Sequence, residues 1–322
     1  MSARPVVWVT RRLPAAVEQA LHEHFEIRQR EDDAPLDADA LAQAFREADA
    51  VLCTVTDRIS PACLTQPQRR ARIVANFGVG VNHIDVASAR AAGVTVTNTP
   101  DVLTDDTADL AILLMLATLR RAGEGERELR AGRWAGWRPT HLLGTRLTGK
   151  TLGIVGLGRI GMAVAQRASA GFGMRVLAWS RSAPRGPEPG VERVATLDAL
   201  LAQVDVLSLH CPATPDTKHL IAAPQLALMG RHAVLVNTAR GDVVDEAALV
   251  AALEAGQIAG AGLDVFEREP VVHPGLLRRD DVVLLPHLGS ATRETREAMG
   301  MRALANLTAF FRGEAVRDRV VS

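Results

Sequence analysis

The chain has 322 residues, 48% of them hydrophobic and 23% charged, a soluble globular composition long enough for two domains rather than one core. Its 37 basic and 37 acidic residues cancel, and aromatics make up 3% with no tyrosine. That excludes recruitment of nucleic acid or an anionic membrane by a global positive field, and it makes base stacking a poor binding strategy.

The N-terminal MSARPVVWVT has no apolar core leading to a small-residue cleavage site, so it reads as a first strand rather than a leader. The cysteines, Cys53, Cys63 and Cys211, form no CxxC pair and no even framework. They are expected as free thiols in a reducing cytoplasm, with no structural zinc. β-branched runs at 6–10 (VVWVT), 25–27 (FEI), 49–53 (DAVLC), 72–77 (RIVANF) and 94–98 (VTVTN) alternate with helical patterns. Such βαβ alternation predicts a parallel sheet covered by helices, here a small doubly wound domain of about five strands. Ala15 to His24 and Asp37 to Ala48 carry apolar residues at helical spacing and supply the cover.

A long helix rich in alanine and leucine is expected from Thr104 to about Arg121, with Thr104 and Asp105 placed to cap its first amides. Its apolar run, LAILLMLATL, is about half the length needed to span a bilayer, so it reads as a core or interface helix. The stretch AGRWAGWRPTHLLGTRLTG then reads as an extended arm. A second alternation follows, with about six strand candidates: KTLGIVG, MRVLAWS, VDVLSLH, AVLVNTA, AGAGLDVF and DVVLLPH. Six strands make a full dinucleotide-binding sheet. The helical pattern from Thr292 to about Gly313 is too short for a domain and is expected to pack back on the first one. The expected division is 1–101 with 290–322 for one domain and 102–289, inserted between them, for the other.

Gly156, Gly158 and Gly161 in GIVGLGRIG follow a strand and open a helical pattern. There the first glycine permits a tight turn, the second lets a pyrophosphate approach the backbone, and the third allows close helix–strand packing, while the helix N-terminus offers amides and positive dipole. About twenty residues further on, an NAD site normally places an acid that accepts from both ribose hydroxyls. This chain has Ser180, Arg181 and Ser182 instead. Together they suit a dianionic 2′-phosphate, so NADPH is the preferred cofactor and NADH a possible one. Arg185 is a second candidate cation; the competing reading of Arg181 is a solvated strand-end charge.

Seven segments, NFGVGVNHID, TNTPDVLTDDTADLAILLMLA, GKTLGIVGLGRIG, VDVLSLHCPATPDTKHLI, VLVNTARGDVVDEAAL, GAGLDVFEREP and LLPHLGSAT, run from about 75 to 292. In that order the chain resembles the D-isomer-specific 2-hydroxyacid dehydrogenase family, in particular its glyoxylate/hydroxypyruvate reductase branch. Residues 1–70 support the fold only through their strand–helix rhythm. The resemblance implies a Rossmann dinucleotide-binding domain, carrying a dimerisation helix and arm, inserted into a flavodoxin-like substrate domain. It implies a catalytic set of Arg240, Glu269 and His287. Reducing a 2-oxoacid needs a hydride on carbon and a proton on oxygen: His287 is the expected acid, Glu269 orients it, and Arg240 clamps the substrate carboxylate.

The same resemblance places Val79 and Gly80 at the substrate carboxylate, Ser290 beside the catalytic histidine, and Trp137 of the arm in a partner's active site within a homodimer. Thr107, Arg159, Ile160, Cys211, Pro212, Thr217, Thr238 and Asp264, with His287, match cofactor-contacting positions. For each of these a purely structural role is the competing reading. Asp101 reads as a hinge. His210, His219 and His273 have no metal-like spacing and are set aside; no metal is expected, because Arg240 and His287 already stabilise the developing alkoxide. The leading expectation is a cytoplasmic, NADPH-preferring reductase of glyoxylate and hydroxypyruvate. Formate dehydrogenases of the family carry glutamine where this chain has Glu269, and phosphoglycerate dehydrogenases usually add a regulatory domain for which this chain ends too soon. The alternatives are a relative acting on another small acid, or a non-catalytic dinucleotide sensor of the same fold.

Overall fold

The computed structural model describes residues 4–183 and 186–321, so Arg185 lies outside the described residues. Thr104–Ser290 form one compact unit, and the described residues up to Leu103 and from Ala291 onward form another.

In the unit built from the chain ends, β1 (Val6–Val9), β2 (Glu26–Arg28), β3 (Ala50–Cys53), β4 (Ile73–Asn76) and β5 (Thr95–Thr97) pair in parallel in the order β2-β1-β3-β4-β5. This is the flavodoxin-like order. Every residue of β3 and β4 is buried, which is why those segments read as unbroken apolar runs rather than alternating ones. The helix Ala38–Glu47 starts where Asp37 accepts from the Ala40 amide at 2.8 Å, and it buries Leu41, Ala44 and Phe45.

The central unit carries β6 (Thr151–Val155), β7 (Arg175–Trp179), β8 (Val191–Arg193), β9 (Val206–Leu209), β10 (Val234–Asn237), β11 (Gly260–Leu263) and β12 (Val282–Leu284). All seven are parallel, in the order β8-β7-β6-β9-β10-β11-β12. The first six follow the 3-2-1-4-5-6 order of a doubly wound dinucleotide fold, with the reversal of direction between β6 and β9. Alternate side chains feed opposite faces: Val176 and Ala178 enter one core, Leu177 the other.

Three elements were not foreseen. β8, Val-Glu-Arg at the sheet edge, has no buried residue, so it lacks the apolar signature that marks its neighbours, and the sheet has seven strands rather than six. The helix Ala122–Arg130 likewise buries nothing and left no apolar stripe to read. After the helix Arg293–Arg312, β13 (Arg319–Val321) adds antiparallel to β5 and gives the first sheet a sixth strand. The helix expected from Thr104 spans Thr104–Leu119, and Asp105 accepts from Arg167 at 2.9 Å. Residues 131–149 form neither helix nor strand; within them Trp134, Leu143 and, at 82%, Trp137 are exposed. No helix of the described residues is long and apolar enough to cross a membrane.

Candidate active site

At the reversal point of the seven-stranded sheet, the glycine loop after β6 meets the chain leaving β9. Gly156 has φ +93°, and a Cβ there would lie 2.7 Å from the Cys211 amide nitrogen and 2.8 Å from its Cα. Only glycine fits that contact and that conformation. Gly161 packs against the Gly156 carbonyl, whereas a Cβ on Gly158 would meet nothing within 4 Å. The loop is thus closed toward protein and open on the side a pyrophosphate would take. Arg159 and Ile160 begin the helix Arg159–Phe172, whose N-terminus faces that opening with its dipole. Thr238, just past β10, is buried, and its Oγ1 has no hydrogen-bond partner among the described residues. An orphaned hydroxyl, an open Gly158 and a helix N-terminus fit a dinucleotide.

On the next strand of the sheet, Ser180 follows β7 half-buried, and Arg181 and Ser182 are exposed. Arg181 Nη1 pairs with Asp216 Oδ2 at 2.7 Å, and Nη2 reaches Thr214 Oγ1 at 3.4 Å. Cys211 is buried, which pushes its thiol up to about 11. Thr217 donates to the Pro212 carbonyl at 2.7 Å and accepts from the Thr214 amide at 2.8 Å. Pro212 and Thr217 therefore brace the turn after β9, whatever they do for a ligand.

The candidate catalytic side chains come from three strand ends. Arg240 follows β10; its Nη1 donates to the Ala239 carbonyl at 2.6 Å, and its own carbonyl accepts from Asn237 Nδ2 at 2.9 Å. Burial lowers its pKa, against the opposing pull of Glu269 and Asp242. Glu269 follows β11 and receives the Phe266 amide on Oε1 at 3.0 Å, while its Oε2 lies 2.8 Å from His287 Nδ1. Burial alone would raise the Glu269 carboxyl; the hydrogen bond and charge of His287, the Phe266 amide and the Arg240 charge outweigh it and hold it below the ordinary value.

His287 follows β12 in the left-handed region, at φ 57°, a conformation that a histidine keeps only when its surroundings hold it. They do. Its amide donates to the Asp264 carbonyl at 2.9 Å, the Leu288 and Gly289 amides donate to the Asp264 carboxylate at 2.6 and 2.8 Å, and Thr107 Oγ1 donates to the Gly289 carbonyl at 3.0 Å. Asp264 and Thr107, expected at the cofactor, thus hold the turn that presents His287. Ser290 lies half-buried just beyond it. In the other unit, Val79 and Gly80 occupy the loop after β4, where their carbonyls accept from Asn98 Nδ2 at 2.8 Å and Asn76 Nδ2 at 2.9 Å. Asp101 there has φ 73°.

Two further residues matter that the sequence motifs alone did not reveal. A Cβ on Gly241 would collide with the Phe266–Glu267 peptide, so the chain carrying Arg240 presses directly on the chain carrying Glu269. His219, set aside from its spacing, has Nε2 2.9 Å from Glu267 Oε1 and donates its amide to the Asp242 carbonyl at 2.8 Å, tying the segments after β9, β10 and β11 together. Contacts between positions so far apart in the chain leave no local signal. His210 bonds Ser208 Oγ at 2.8 Å, and burial pushes its pKa down to about 4; His273 caps the Gly275 amide at 3.1 Å.

The model of the D-isomer specific 2-hydroxyacid dehydrogenase NAD binding domain matches residues 112–289. A glyoxylate reductase from Korarchaeum cryptofilum is 46% identical over 97% of this chain and 94% of its own length. One from Thermococcus litoralis is 44% identical over 97% of this chain and 95% of its own. An NADPH-dependent glyoxylate/hydroxypyruvate reductase from Sinorhizobium meliloti, solved with NADP and malonate, superposes with a TM-score of 0.86 at 40% identity, covering 99% of this chain and 97% of that one.

Proposed function

The chain belongs to the D-isomer specific 2-hydroxyacid dehydrogenase family, and from that membership we propose that it reduces small 2-oxoacids, glyoxylate and hydroxypyruvate, to 2-hydroxyacids, with NADPH as its preferred cofactor. The observation that carries the reading is the Glu269–His287 pair, 2.8 Å apart, at the same end of the sheet as Arg240. When bound, the nicotinamide supplies the hydride to the carbonyl carbon. Arg240, cationic throughout the working range, binds the substrate carboxylate and polarises the carbonyl. His287 has Nδ1 committed to Glu269, so Nε2 is the atom that delivers the proton to the carbonyl oxygen. The Glu269 carboxylate, bonded to Nδ1, fixes the ring's direction throughout.

Serine, arginine and serine at 180–182, in place of an acid, support the NADPH preference. The exposed Leu113, Leu129, Trp134, Trp137 and Leu143 support a homodimer, because a monomer rarely leaves so many large apolar side chains in one stretch of chain in water. Trp137 is the proposed wall of the partner's pocket. Light scattering should then give a dimer mass, and Trp137→Ala should broaden acceptance toward bulkier 2-oxoacids; a monomer, or an unchanged substrate profile, would contradict this part.

The deciding experiment is a panel of 2-oxoacids run with NADPH and NADH in parallel. Glyoxylate and hydroxypyruvate are expected to turn over, with the higher kcat/KM for NADPH. Tight dinucleotide binding with no turnover on any 2-oxoacid would make the protein a sensor instead.

A further inference from the structure

The guanidinium read as the 2′-phosphate ligand already has an anionic partner inside its own chain. Arg181 and Asp216 meet at 2.7 Å although 35 residues apart, with side chains 46% and 77% exposed. Asp216 belongs to the single turn Pro215–Thr217 after β9. That turn is braced from within by buried Thr217, which bonds both the Thr214 amide and the Pro212 carbonyl. A fixed turn therefore presents a carboxylate to an exposed arginine. Ion pairs this exposed contribute little stability, so Asp216 is poorly explained as a structural strut.

We propose that Asp216 is a specificity-determining residue for the dinucleotide, acting as a built-in competitor for the Arg181 guanidinium. The proposal rests on the NADPH reading of Arg181. A 2′-phosphate, with a charge of about −1.5 to −2, must take Arg181 from Asp216 and then lie beside the displaced carboxylate. An unphosphorylated ribose leaves the pair intact. The other described arginine at this loop is already engaged: Arg193 holds Glu188 through two contacts of 2.6 Å and the Ser182 carbonyl at 3.1 Å. Asp216 thereby narrows the gap between NADPH and NADH, and its removal widens it.

The test is calorimetric titration of the whole protein, without nicotinamide, using adenosine 2′,5′-bisphosphate and adenosine 5′-monophosphate as probes. Asp216→Asn should tighten the bisphosphate about fivefold and leave the monophosphate nearly unchanged, whereas Arg181→Gln should weaken only the bisphosphate. In the double variant most of the Asn gain should vanish. If Arg181→Gln lowers the bisphosphate preference but Asp216→Asn leaves it unchanged, the competitor role is overturned while the NADPH reading of Arg181 stands. If Arg181→Gln itself leaves the preference unchanged, that reading fails and the proposal falls with it.

Discussion

Beyond β11 and β12 the buried Asp264 carboxylate holds the backbone that carries His287; beyond β7 the exposed Arg181 guanidinium meets the Asp216 and Thr214 side chains. Asp264 is 1% exposed and holds two amides of the His287 turn, and the Arg240 and Glu269 segments are in van der Waals contact at Gly241. Arg181 and Asp216 form an exposed pair with neither side chain packed in a core. Under the proposed function, the difference follows from what each end would have to do. Proton and hydride transfer demand reacting atoms held to fractions of an ångström, which requires packing and buried hydrogen bonds. Choosing between a phosphate and a hydroxyl requires charge of the right sign, which a re-pairable surface ion pair can provide.

The largest effect should come from the buried end. His287→Ala is expected to lower kcat for glyoxylate about a hundredfold or more while dinucleotide affinity, measured by titration, stays close to wild type. A near-normal kcat would remove His287 from the chemistry. Asp264→Ala leaves the Leu288 and Gly289 amides without their acceptor, at a cost of about 1–3 kcal/mol, and frees the His287 turn. Chemical denaturation should show the loss of stability, and kcat should fall with little change in NADPH affinity; an unaltered variant would show that the turn holds itself.

At the exposed end the effect should be smaller and selective. Arg181→Gln should reduce kcat/KM for NADPH about tenfold, the scale of one charged hydrogen bond, and leave NADH within about twofold. Equal losses with both cofactors would show that Arg181 is not a 2′-phosphate ligand.

The smallest effect concerns pH. The Glu269 carboxyl is held below its ordinary value chiefly because its bonds and charges to His287, Phe266 and Arg240 overcome burial. A depressed folded pKa contributes stability that is present above the unfolded value, about 4.3, and is lost as pH falls through the folded one. Because the pair is about one-third exposed, no more than about 1 kcal/mol is expected. The stability difference between wild type and Glu269→Gln should be flat from neutral pH to about 5 and shrink below about 4. A difference that instead grows on acidification would mean that the carboxyl is not stabilised in its ionised form.

The contrast between the two ends also explains what could be read from the chain. β3, β4, β6 and β9 are buried along nearly their whole length, so β-branched runs announce them. β8 and the helix Ala122–Arg130 bury nothing and carry no apolar stripe. The glycine loop was legible because its spacing is local: Gly156 and Gly161 are fixed by close backbone contacts, and Gly158 faces open space. Arg240, Glu269 and His287 could be proposed from the motifs around them. What holds them was not: the Asp264 carboxylate on the Leu288 and Gly289 amides, Gly241 against the Phe266–Glu267 peptide, and Asp216 on Arg181 are contacts between distant segments that only the folded sheet brings together.

The separation of the two ends is tested most directly by single-turnover oxidation of bound NADPH and bound NADH by glyoxylate, in wild type, His287→Ala and Arg181→Gln, each at saturating dinucleotide. His287→Ala should slow the step about equally for both dinucleotides, and Arg181→Gln should leave the step unchanged for both while weakening the binding of NADPH alone. A His287→Ala defect that depends on which dinucleotide is bound, or an Arg181→Gln protein that turns over slowly even when saturated with NADH, would contradict the separation.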